Sequence, residues 1–133
     1  MDRETSTKAL DGAVTAMAVG RIIWGIAAYA APGANTKAAG LPGRPSGEVT
    51  YLTRVFGSRA FALGCGYLLS DDDAKSRWRR LGLVVDVSDT AAGVVHLVRG
   101  DVPRRATATL VAATGTYAAI GALRVAKELR SAS

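Results

Sequence analysis

Apolar positions along this chain gather into four blocks, about 13–31, 51–70, 81–98 and 107–125, separated by polar or Pro/Gly-rich stretches. Each block is nearly continuous rather than alternating, and each holds roughly 20 residues, the length a helix needs to cross about 30 Å of hydrocarbon at 1.5 Å per residue. The fourth block is the cleanest, with no charge between Arg105 and Arg124. The second carries Arg54 and Arg59, and the third carries Asp86, Asp89 and His96. Between the first two blocks "PGANTKAAGLPGRPSGE" reads as an irregular loop, since Pro and Gly interrupt a helix. "DDDAKSRWRR" and "RGDVPRR" read as short links, the first with Trp78 as an interfacial anchor and Asp residues to cap the next helix. Short links join antiparallel neighbours. The pattern therefore predicts one all-α domain over 1–133, a four-transmembrane-helix up-down bundle.

Composition strengthens the membrane reading. Of 133 residues, 49% are hydrophobic and 21% charged, but the charges sit mostly at the ends and in the links. Aromatic residues make up 6%, with two Phe and 15 Gly, a small-residue bias suited to helices packed in lipid. The net charge of +6 raises a nucleic-acid reading. Its basic residues flank apolar blocks instead of lining a polar face, which is the pattern of juxtamembrane anchors, and no nucleic-acid partner is expected. Cys65 is the single cysteine, so neither an intrachain disulfide nor a thiolate cluster is available. The start "MDRETSTKALDG" is too acidic for a cleavable leader, and the first block is expected to remain as an anchor.

Four crossings would return the chain to its starting side. That side would hold Arg3, Lys8, Lys75, Arg77, Arg79, Arg80, Arg124, Lys127 and Arg130, against Lys37, Arg44, Arg99, Arg104 and Arg105 on the other. The excess predicts a multi-pass protein of the cytoplasmic (inner) membrane with both termini cytoplasmic. Measured from that side, Arg21 and Asp89 lie about 12 Å deep, Arg59 about 16 Å, Asp86 about 8 Å, and Arg54 and His96 roughly 23 Å. Arg21 and Asp89 are thus level, with Arg59 within reach of both.

On the third block Gly82, Asp86, Asp89, Gly93 and His96 follow a 4-3-4-3 step and share one helix face. A lone charge at the membrane centre costs at least ~2.5 kcal/mol, so carboxylates opposite the arginines are the expected remedy. The resulting candidate site is an intramembrane polar cluster of Arg21, Arg54, Arg59, Asp86, Asp89 and His96. It reads either as a structural clamp between helices or as the lining of a pocket or proton path. With one His in the chain, no bis-His haem or metal site is expected, and no cofactor. The helix glycines Gly20, Gly25, Gly57, Gly64 and Gly66 read as packing notches. Neither a P-loop nor a nucleophile elbow occurs, and the "RGD" at Arg99–Asp101 reads as coincidence.

"TRVFGSRAFALGCGYLL" followed by "VVDVSDTAAGVVH" resembles a family of small four-helix bacterial membrane proteins known only as a domain of unknown function. Arg54, Gly57, Arg59, Gly64, Asp86, Asp89 and His96 carry the likeness, which spans about Gly20 to Tyr117. Where that family has an acid after the second Arg, this chain has Ala60. The resemblance implies a fold and no established activity. The residues themselves lead first to a non-catalytic accessory or scaffold subunit in the lipid bilayer, with a protein partner or a second copy of the chain. The alternative is a membrane-embedded binding or transport unit for a lipid or small anion. An enzyme using Asp86 or Asp89 as acid or base ranks third.

Overall fold

The computed structural model describes residues 3–131; Met1, Asp2, Ala132 and Ser133, which the expected domain over 1–133 includes, lie outside the described residues. The described residues form five helices and no strand: α1 (Arg3–Ala30), α2 (Pro32–Ala39), α3 (Gly47–Leu68), α4 (Asp72–Arg99) and α5 (Arg104–Ser131). Three of them, α1, α4 and α5, are long and apolar enough to cross a membrane. The chain is all-α, but the expected bundle of four transmembrane helices is overturned on two counts. A fifth helix is present, and α3 falls short of the apolarity of a span because Arg54 and Arg59 both lie within it.

Each departure has a local cause. In "PGANTKAAG" the Pro and Gly act as boundary markers. Pro32 occupies the first turn of α2, where its missing N–H is not needed, and Gly40 closes the helix at φ 101°. The Gly40 N–H donates to Lys37 O and the Leu41 N–H to Thr36 O, both at 3.0 Å. The "DDDAKSRWRR" link is helix rather than connection: Asp71 Oδ1 accepts from the Ala74 N–H at 2.9 Å, so α4 starts a full nine residues before the apolar block. Ser46 caps α3 in the same way through the Val49 N–H.

Neighbouring helices run antiparallel, and they associate in two tight pairs. The α1–α3 seam is made of small residues whose backbones nearly touch. A β-carbon on Gly64 would lie 2.5 Å from Ala18 O, and one on Gly57 2.7 Å from Gly25 O. The α4–α5 seam sets Gly93 against Val111 and joins Thr90 Oγ1 to Thr114 Oγ1 at 2.9 Å. Between the two pairs an apolar cluster of Val14, Ala18, Tyr67, Trp78 and Ile120 is joined by polar ties. At one end Arg124 Nε of α5 donates to Asp11 Oδ1 of α1 at 2.6 Å, and within the α4–α5 pair Ser76, Arg79 and Arg80 all donate to Glu128. The start of α1, the start of α4 and the end of α5 therefore share one end of the molecule. Trp78 lies there too, its ring over Gly66.

Many large apolar side chains face outward, while alanines fill much of the interior beside Val14, Met17, Leu63 and Tyr67. Ile23 is 65% and Val98 81% exposed, whereas Ala28 is 0%. A water-soluble core reverses that order. Helix hydroxyls also turn back on their own backbone: Ser58, Ser88, Thr109 and Thr116 each donate to the carbonyl four residues earlier, which satisfies them where water is absent.

Candidate functional site

Two of the predicted arginines meet the two predicted aspartates at the middle of the helices. Arg21 Nη2 donates to Asp86 Oδ2 at 2.6 Å, joining α1 to α4. Arg59 Nη2 donates to Asp89 Oδ2, also at 2.6 Å, joining α3 to α4. The depth estimate set Arg21 level with Asp89; the structure pairs it with Asp86, one turn away, and gives Asp89 to Arg59. Depths that differ by about 4 Å cannot decide between carboxylates, because an arginine side chain is longer than that. The rotation of α4 decides instead, turning Asp86 toward α1 and Asp89 toward α3. Gly82 sits next to the Arg21 guanidinium, leaving it room to lie along α4.

The two pairs differ in exposure. The Arg21 and Asp86 side chains are 13% and 4% exposed, those of Arg59 and Asp89 43% and 20%. Both guanidiniums stack on rings, Arg21 4.9 Å from the Tyr117 centroid and Arg59 4.5 Å from that of Phe56.

The remaining two predicted residues lie elsewhere. Arg54 Nε donates to the Tyr29 carbonyl at 3.2 Å, beyond the end of α1's regular bonding. His96 Nδ1 is 2.8 Å from Asp101 Oδ1, so the "RGD" aspartate holds the turn after α4. The 4-3-4-3 face accordingly splits: Gly82 and Asp86 address α1, Gly93 addresses α5, and His96 addresses the turn.

Sequence reasoning offered a pocket as one of two readings of the cluster but gave neither its walls nor its place between the helices. The two ion pairs border a cavity of about 360 Å³ between the tight helix pairs. Its walls are apolar and aromatic, with Trp24, Phe56, Leu63, Val85, Leu110 and Tyr117, and Trp24 meets Phe56 edge-on at 5.0 Å. Asn35, Ala38 and Ala39 of α2 border it as well, beside Thr109 of α5, and Ala38 and Thr109 are exposed. A smaller void of about 30 Å³, the volume of one water, lies on the other side of Arg21 and Asp86 toward Tyr67 and Arg79. The advance signal for the cavity was the intramembrane Arg/Asp cluster together with the strip of polar and small residues on α4.

No protein-family model, curated protein or solved structure matches this chain.

Proposed function

We propose that this chain is a multi-pass protein of the bacterial cytoplasmic membrane, with both termini on the cytoplasmic side, and that its central cavity binds a small amphipathic molecule. The likeness to the uncharacterised family of small bacterial membrane proteins is part of the same proposal. The observation that carries the binding reading is the cavity itself. Two arginine–aspartate pairs border an apolar, aromatic space of about 360 Å³, within the size range of small-molecule sites. A clamp whose only role was to hold helices together would sit in packed side chains.

Three long apolar helices, an outward-facing aliphatic surface and back-bonded hydroxyls support the membrane reading. The contact of Asp11 with Arg124 supports both ends of the chain lying on one side, and the basic excess supports the cytoplasm as that side. After alkaline carbonate extraction the protein is expected in the membrane pellet; release without detergent would overturn the assignment. In a Cys65→Ser background, a membrane-impermeant maleimide should label Arg99→Cys in intact cells. Lys8→Cys and Ser131→Cys should stay unlabelled until lysis, and the reverse pattern would invert the orientation.

The binding reading is tested by what accompanies the purified protein. Mass spectrometry of protein released in mild detergent should find one small amphiphile in near-stoichiometric amount. Ala113→Phe, which adds a ring at a wall position outside the two ion pairs, should lose it while still folding. Equal recovery from both proteins would remove the cavity as the site. The accessory-subunit reading has one observation in its favour, a groove on the outer side of the α1–α3 seam lined by Gly25, Tyr29, Gly57 and Phe61. Isolation of the chain in a larger assembly, with nothing in the cavity, would favour that reading.

A further inference from the structure

We infer that the molecule held in the cavity is electrically neutral and presents carbonyl oxygens to Arg21 and Arg59, with its apolar body between Trp24, Phe56 and Tyr117. This rests on the binding reading above and narrows it to a class of ligand.

Charge is the first argument. Arg21, Arg59, Asp86 and Asp89 are the charged residues of the cavity wall, and their formal charges cancel. Each guanidinium already has a carboxylate at 2.6 Å. An anion entering this space would compete with Asp86 or Asp89 for the same arginine and bring an uncompensated charge among apolar walls. A cation would compete with the arginines in the same way. Either carries the desolvation cost of a full charge, and the wall holds no uncompensated opposite charge to offset it.

Hydrogen-bonding capacity is the second argument. A guanidinium has five N–H donors. Among the described residues Arg21 and Arg59 each make a single hydrogen bond to protein, through Nη2. The Trp24 indole N–H and the Tyr117 hydroxyl have no hydrogen-bond partner among the described residues, and both side chains line the cavity. Donors remain after the two ion pairs form, so the complementary ligand offers acceptors without a net charge. Carbonyl oxygens of an ester or of a quinone meet that description.

Shape is the third. The cavity accommodates on the order of a dozen water-sized groups, enough for a head and the first part of a chain. Trp24 and Phe56, in edge-on contact, give that part of the chain an apolar wall above Arg59. Exposed Ala38 and Thr109 at the rim leave a longer tail a way out beside α2.

The test uses four probes of equal chain length on the full-length protein in lipid nanodiscs. They are monodecanoylglycerol, decylubiquinone, decanoate and decyltrimethylammonium. In a Trp78→Phe variant, Trp24 is the remaining tryptophan and reports on the cavity. Monodecanoylglycerol or decylubiquinone should give a saturable fluorescence change, absent in Ala113→Phe, with an apparent Kd at least about tenfold below those of the two charged probes. Whichever neutral probe binds tighter identifies the source of the carbonyl as ester or quinone. Asp89→Asn leaves Arg59 uncompensated and should turn the preference toward decanoate. A purely structural ion pair would show no such switch. Tighter binding of ionised decanoate to the unmutated site would overturn neutrality while leaving the binding reading intact. If no probe saturates and nothing copurifies, the binding reading falls as well.

Discussion

Asp86→Ala is expected to destabilise the protein by about 3–5 kcal/mol, the cost of removing one partner from a buried ion pair. Asp86 is the most enclosed carboxylate of the two pairs, with a side chain 4% exposed, and Arg21 opposite it is 13% exposed. Without the carboxylate, Arg21 would keep its charge, since a guanidinium does not deprotonate in proteins. Its stacking on Tyr117 would offset part of the loss. Asp89→Ala should cost less, because Arg59 is 43% exposed and can rotate away from the apolar wall. Unfolding in mixed micelles, followed by circular dichroism against rising SDS fraction, gives the ranking. The joint change Arg21→Met with Asp86→Leu should recover much of the single-variant loss, because an apolar pair of similar size does not bear the desolvation cost. A double variant whose cost equals the sum of the singles would show that the groups do not interact in the folded protein.

How much of this was legible beforehand depends on what each residue's neighbours decide. Arg21 of α1 and Arg59 of α3 announce a need for carboxylates, and α4 is the apolar segment that holds two, so the four charges could be brought together from sequence alone. Their register could not. Rise along a helix sets depth, but rotation about its axis sets partnership, and rotation follows from how Gly93 packs on Val111 and Gly64 on Ala18. Helix ends were misjudged where charge was taken for connection. Ser76, Arg79 and Arg80 form part of α4 because Glu128 on α5 collects them, a contact fifty residues away along the chain. In α2 the same Pro and Gly that interrupt a helix from within bound one from outside, and only the φ of 101° at Gly40 separates the two cases. The cavity was the least legible feature. It arises because α1 closes on α3 and α4 on α5, so that the space left between the pairs has no single stretch of sequence to encode it.

The tightness of the α1–α3 seam yields the other large expected effect. Gly25→Ala and Gly57→Ala should each destabilise strongly, and the two together should prevent accumulation of folded protein. A β-carbon on Gly25 would stand 2.6 Å from Gly57 O and 2.8 Å from Phe61 N; one on Gly57 would stand 2.7 Å from Gly25 O. Those atoms belong to backbone, so no rotamer change relieves the clash and the helices must separate. Overpacking of this kind costs about 1–3 kcal/mol where side chains can yield, and more where they cannot. Separation would also expose Ala28, which is fully buried in the seam, and pull Trp24 away from Phe56, opening the cavity wall. Gly12 supplies the control. It lies in α1 with nothing within 4 Å of its β-position, so Gly12→Ala should be neutral or stabilise by up to about 1 kcal/mol through helix propensity. Thermal stability measured by size exclusion in mild detergent distinguishes the two substitutions. Opposite signs for Gly12→Ala and Gly57→Ala would locate the glycine requirement in helix contact. Equal and small losses at both positions would mean that α1 and α3 are not joined through Gly25 and Gly57, and the cavity that depends on their contact would lose its frame.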